Sequence, residues 1–118
     1  MKMGRLRRSF SCAIAGLIYC VKSEKNMKIH ILAMILVVIA ALVVGLTPVE
    51  WGLLILTIFT VLVAEAVNTA IEKTVDLVTT EYHPIAKLAK NVAAGAVLLA
   101  AIGSLAMAVV IFGPHLHL

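Results

Sequence analysis

Apolar residues run through this chain in three long blocks, each closed by a short polar break. The first block, Ile29 to Leu46, holds eighteen residues with a single polar member, His30. That is long enough to cross the hydrocarbon core of a bilayer. Gly45-Leu-Thr-Pro-Val-Glu50 reads as a turn, with Thr47-Pro48 stopping one helix and Trp51 marking the far interface. A second helix is predicted over 51–79, apolar from Gly52 to Ala64 and polar from Glu65 to Asp76. Thr80-Glu-Tyr-His-Pro84 is a loop whose proline can open the next helix. The third membrane helix is predicted over 85–112. Its Ala86, Ala89, Ala93, Ala96 and Ala100 form a small-residue stripe suited to close helix packing.

Ahead of these blocks, residues 4–22 repeat Leu6, Phe10, Ile14, Leu17 and Val21 at helical spacing. Arg5, Arg7, Arg8 and Ser9 fill the other side, as in an amphipathic helix lying in a membrane interface. Gly16 could admit another backbone, and Ser23 could cap the following helix. The pattern gives an all-α integral membrane protein of one domain, 1–118, with an interfacial helix and three transmembrane helices.

Composition sharpens this. Of 118 residues, 63% are hydrophobic, above the usual share in soluble domains. So few helices enclose little interior, which calls for an oligomer. The first apolar run starts too late and is too long for a signal peptide. Lys2, Arg5, Arg7, Arg8, Lys22, Lys25, Lys28, Lys73, Lys87 and Lys90 make up all ten basic residues. All lie on the side shared by the N-terminus and the second loop. The positive-inside rule makes that side cytoplasmic and the C-terminus extracytoplasmic. Cys12 and Cys20 have neither zinc nor redox spacing and read as filler in a reducing compartment. His115 and His117 read as incidental.

One stretch concentrates the chemistry. In Val63 to Asp76, residues Glu65, Asn68, Thr69, Glu72 and Asp76 stand at i, i+3, i+4, i+7 and i+11. At about 100° per residue they share one narrow helix face. Polar Asn and Thr can glue helices together, but three aligned carboxylates repel unless a cation sits between them. Acids at a membrane boundary are costly and mark function. Carboxylates at this density suit magnesium, and nearby Lys87 and Lys90 suit phosphate oxygens. A carboxylate within the lipid boundary, such as Glu65, suits proton abstraction from a membrane-bound alcohol. The reaction class that follows is phosphoryl transfer from a water-soluble donor to a lipid hydroxyl, which needs mainly positioning and charge neutralisation. Neither a Walker-type phosphate loop nor the HRD and DFG signatures of protein kinases occur in the sequence. A carboxylate relay in a non-enzymatic transport subunit is the rival reading. A relay would spread its acids along several spans instead of gathering them beside lysines.

Ala64-Glu-Ala-Val-Asn-Thr-Ala-Ile-Glu72, Val75-Asp76, Glu81-Tyr-His83 and Ala89-Lys90 together resemble the prokaryotic diacylglycerol kinase family. Glu72-Lys-Thr-Val-Asp-Leu-Val, His83-Pro84 and Ala93-Ala-Gly-Ala-Val-Leu-Leu look most like its Gram-positive branch, which prefers undecaprenol. The resemblance implies a homotrimer in the bacterial cell membrane, using ATP and Mg2+ to phosphorylate undecaprenol or, alternatively, diacylglycerol. No nucleic-acid partner is expected. By the same resemblance Glu65 matches the catalytic base, and Glu24 and Glu72 match the magnesium carboxylates. Asn68, Asp76 and Lys90 match further polar site positions. Arg5, Glu81, Tyr82 and His83 match nucleotide contacts. Cys12 stands where some members carry an aromatic near the nucleotide, and Asn91 stands where the family usually has Asp.

Overall fold

The computed structural model describes residues 2–117. The chain is all-helical: α1 (Lys2–Ser23), α2 (Lys25–Val44), α3 (Pro48–Val78) and α4 (Pro84–Phe112), closed by a 3₁₀ turn at Pro114–Leu116. Three of these, α2, α3 and α4, are long and apolar enough to cross a membrane. With 31 residues, α3 is about 46 Å long against a hydrocarbon core of roughly 30 Å, so its last turns outrun the core.

The helix ends follow from local chemistry. Glu24, in extended conformation, precedes α2 and makes no side-chain cap. Ser23 does not cap α2; its hydroxyl turns back to the Tyr19 carbonyl within α1, the i−4 back-bond open to a serine in a helix. Gly45 ends α2 at φ 80°, its N–H donating to the Ala41 carbonyl at 3.0 Å. A side chain at this left-handed position costs about 1–2 kcal/mol. We therefore expect Gly45→Ala to lower the thermal unfolding midpoint in detergent without changing helix content by circular dichroism.

Thr47 starts α3 with a reciprocal cap. The Glu50 N–H donates to Thr47 Oγ1 at 3.2 Å, and the Thr47 N–H donates to Glu50 Oε1 at 2.9 Å. With Pro48 at the first helical position, α3 begins three residues ahead of Trp51. At the start of α4, the Ile85 N–H donates to His83 Nδ1 at 3.1 Å.

Packing is thin. The main contact runs between α3 and α4, with α2 laid more lightly on α3. Ala41, Leu54 and Ile111 form the buried cluster, surrounded by Val37, Trp51, Ile58 and Met107. On α4, Ala93 is buried while Ala86, Ala89, Val97 and Ala100 are half-buried. Ala96 is exposed, so Val97 takes its place in the packed stripe. A residue four on from Ala93 stays nearer its face than one three on when the face is centred between them. Gly16 has nothing within 4 Å of where a Cβ would stand, so no backbone approaches it.

α1 is exposed from Met3 to Tyr19, and only Cys20 near its end is buried. Lys73 Nζ of α3 lies 5.5 Å from the Tyr19 ring centroid, within cation–π range, and joins the two helices. At the opposite end, His115 Nε2 lies 3.0 Å from both carboxylate oxygens of Glu50. His115 is therefore a tie between the C-terminal turn and the start of α3. Glu50 is the only acid at that end of the bundle, which is the physical reason the contact forms there.

Candidate functional site

The polar face of α3 is graded by depth. Glu65, Asn68 and Thr69 are buried at 1%, 8% and 4% exposure. Glu72 is half-buried, and Asp76 is exposed. One side of a single helix thus leads from a closed interior to open solvent.

Glu65 is the most buried charged group described. α2 reaches it through His30, whose Nε2 lies 3.0 Å from Glu65 Oε1, with side-chain exposures of 23% and 2%. The two atoms are at hydrogen-bond distance but off the line of a donor N–H, so Oε1 accepts no hydrogen bond. Asn68 Oδ1, one turn on, is also without a partner. Thr69 spends its hydroxyl on the Glu65 carbonyl at 3.0 Å. A buried acceptor left bare costs about 1–3 kcal/mol, and native proteins keep such groups for a reason.

His30 also lines a cavity of ≈ 160 Å³ between α2, α3 and α4. Its other walls are almost wholly apolar, including Val37, Leu54, Ile58, Val61 and Leu62. The bare carboxylate oxygen of Glu65 thus touches a histidine that opens onto a space suited to hydrocarbon.

A second, more polar cavity of ≈ 260 Å³ lies where α3 hands over to α4. Glu81, Tyr82, His83, Lys90 and Asn91 line it, with Thr79, Thr80 and Lys87. The Glu81 N–H donates to Thr79 Oγ1 at 3.2 Å, folding the loop back. Lys90 Nζ donates to Asp76 Oδ1 at 2.6 Å, bridging the two helices at the cavity's edge. Both side chains are over a third exposed, so the pair stabilises by well under 1 kcal/mol and leaves the ammonium open to a stronger anion. Lys87 Nζ lies 6.0 Å from the Tyr82 ring centroid.

Six of the residues singled out for chemistry in the sequence, Lys87 among them, thus line one cavity, and Asp76 joins them through Lys90. Asn68 and Glu65 lie about two and three turns deeper along α3 than Asp76. Glu24 stands at the head of α2, half-buried like Glu72. Ion pairs among the described residues engage Glu65, Asp76 and Glu50, and leave the carboxylates of Glu24 and Glu72 free. No three His, Cys, Asp or Glu side chains among the described residues gather as a ready metal cage. Arg5 and Cys12 lie on the exposed run of α1 and line neither cavity.

From the sequence alone His30 is noted and given no role. Its signal was present: it is the single polar member of an apolar span, and an ionisable group there is a functional candidate by default.

The sequence profile described as prokaryotic diacylglycerol kinase matches residues 11–112. The chain is 39% identical over 115 residues to the undecaprenol kinase of Bacillus subtilis (strain 168), covering 98% of this chain and 94% of that protein. It is 43% identical over 97 residues to a diacylglycerol kinase of Synechocystis, covering 81% of this chain and 55% of that one. A Helicobacter pylori diacylglycerol kinase shares 54% identity over a shorter stretch of 50 residues. These relatives are lipid kinases, and a match running through all three apolar helices and both cavities means that the chain belongs to the prokaryotic diacylglycerol kinase family.

Proposed function

We propose that this protein is an ATP-dependent undecaprenol kinase acting at the cytoplasmic face of a bacterial cell membrane. The observation that carries the reading is Glu65: a buried carboxylate with a bare oxygen, linked through His30 to an apolar cavity. Glu65 takes the proton of a lipid hydroxyl as its oxygen attacks the terminal phosphate of ATP. The free amide oxygen of Asn68 stands beside it to orient the reacting groups. Lys90, held loosely by Asp76 at the edge of the polar cavity, is the cation for phosphate oxygens. The polar cavity of Glu81, Tyr82, His83 and Asn91 receives the nucleotide; the family resemblance adds Arg5 and Cys12 of α1 as contacts, although neither lines this cavity.

Glu24 and Glu72 fit Mg2+, because their carboxylates are unspent and magnesium is commonly held by one or two carboxylates together with substrate phosphates. When bound, the ion neutralises charge on the phosphates. The whole chain acts as one domain, with α1 lying in the interface, the N-terminus cytoplasmic and the C-terminus extracytoplasmic. The thin packing of a single copy, with Ala41, Leu54 and Ile111 as its buried cluster, is the reason to expect a homotrimer in which neighbouring copies complete the bundle. Undecaprenol is favoured over diacylglycerol by the near full-length likeness to the Bacillus subtilis protein.

Purified protein given radiolabelled ATP with undecaprenol and with diacylglycerol, side by side in the same detergent, tests the acceptor. We expect faster transfer to undecaprenol. Faster transfer to diacylglycerol would make diacylglycerol the acceptor and phosphatidic acid the product.

A further inference from the structure

Glu65 cannot pass a proton directly to water, because it is 1% exposed. The alcohol's proton must nevertheless leave before the carboxylate can serve again. Among the described ionisable side chains, the one in contact with Glu65 is His30. Its Nε2 sits 3.0 Å from Oε1, the oxygen that lacks a hydrogen bond, while its own side chain keeps 23% exposure. One ring therefore touches the buried carboxylate and also reaches the surface of the chain, five residues from the start of α2. Imidazole is suited to this because it can accept at one nitrogen and release at the other.

We propose that His30 is a positioning residue for Glu65 and the carrier that clears its proton, an inference that rests on the lipid kinase reading. In the step, the acceptor's O–H bond breaks and its oxygen bonds the terminal phosphorus of ATP. The bond from that phosphorus to the bridging oxygen breaks, and its electron pair leaves with ADP. The proton passes to Glu65. The protonated carboxyl turns its O–H toward the ring, and neutral His30, carrying its proton on Nδ1, takes the new one at Nε2. The imidazolium gives up the Nδ1 proton to water, and exchange with water restores the starting tautomer. Glu65 returns as a carboxylate. Before the reaction, the ring packed beside Oε1 covers that oxygen, so that Oε2 is the oxygen left for the hydroxyl.

Two variants separate carriage from packing. His30→Gln keeps a polar group that can reach Oε1 but cannot carry a proton. His30→Ala leaves room for free imidazole. With the full chain, ATP and undecaprenol in detergent, both variants should lose roughly 10- to 100-fold in kcat. KM for ATP and for acceptor should stay within roughly twofold, the mark of a lost transition-state role. Added imidazole should restore His30→Ala and leave His30→Gln unchanged. Nitrogen-15 spectra of histidine-labelled protein give a readout apart from turnover: the His30 ring signal should move in Glu65→Gln and stay in place in Glu50→Gln.

Wild-type kcat in His30→Gln, no response of His30→Ala to imidazole, or a His30 signal blind to Glu65→Gln would each overturn the proposal. If His30→Ala does not insert, the glutamine variant and the spectra decide alone. A wild-type protein that phosphorylates no lipid alcohol would remove the lipid kinase reading and this inference together. An active wild type with an equally active His30→Gln would remove this inference alone.

Discussion

Glu65→Gln loses about 10²–10⁴-fold in turnover while ATP binding stays near that of the unaltered protein, the range expected for removal of a positioned general base. Glutamine has the shape of glutamate and keeps one carbonyl oxygen, so the packing of a 1%-exposed site is preserved. Its new amide N–H₂ has a nearby acceptor to seek, since Asn68 Oδ1 is unpartnered. The substitution therefore removes basicity more than it removes structure. The polar cavity proposed for the nucleotide lies at the far end of the polar face, lined by residues from Val75 to Asn91, and does not include Glu65. Binding of a fluorescent ATP analogue, measured beside turnover, separates the two. Turnover within tenfold of the unaltered protein would refute the base assignment.

Glu72→Gln and Glu24→Gln raise the magnesium concentration needed for half-maximal activity, by roughly 10- to 100-fold each. The estimate follows from removing one full charge near a divalent ion at intermediate dielectric, where a few kcal/mol are lost and each 1.4 kcal/mol is tenfold. Neither carboxylate is engaged by an ion pair among the described residues, so neither substitution orphans a partner within the chain. Protein yield and oligomer size should be unchanged. Magnesium titrations of both variants check this. Curves that coincide with the unaltered protein would place the metal elsewhere.

How much of this was legible in the sequence depends on the range of the forces involved. Helix period is a local property, so the spacing of Glu65, Asn68, Thr69 and Glu72 was enough to put them on one face of α3. Turn chemistry is local as well. Thr47, Pro48 and Glu50 signal a helix start by themselves, although the reciprocal cap draws that start back to Pro48. Gly45 and Pro84 likewise mark ends that the backbone obeys. Which partner meets which face was not legible in the same way. His30 and Glu65 are thirty-five positions apart, and His115 meets Glu50 across sixty-five. Ala96 and Val97 differ by one position and 100° of rotation, and only packing against α3 decided which turned inward.

The sequence by itself determined that this chain is a set of apolar helices, three of them long enough to cross a membrane, with Glu65, Glu72 and Asp76 on one face of the second of these. That follows because run length and helical period need no knowledge of neighbours. The tertiary structure decided the depth gradient from Glu65 to Asp76, the contact of His30 with Glu65, and the tie from Lys90 to Asp76. Those depend on how far each helix is rotated and slid against the next. Ridges fitting into grooves set that geometry, and the fit is a property of two helix surfaces that neither sequence segment carries alone.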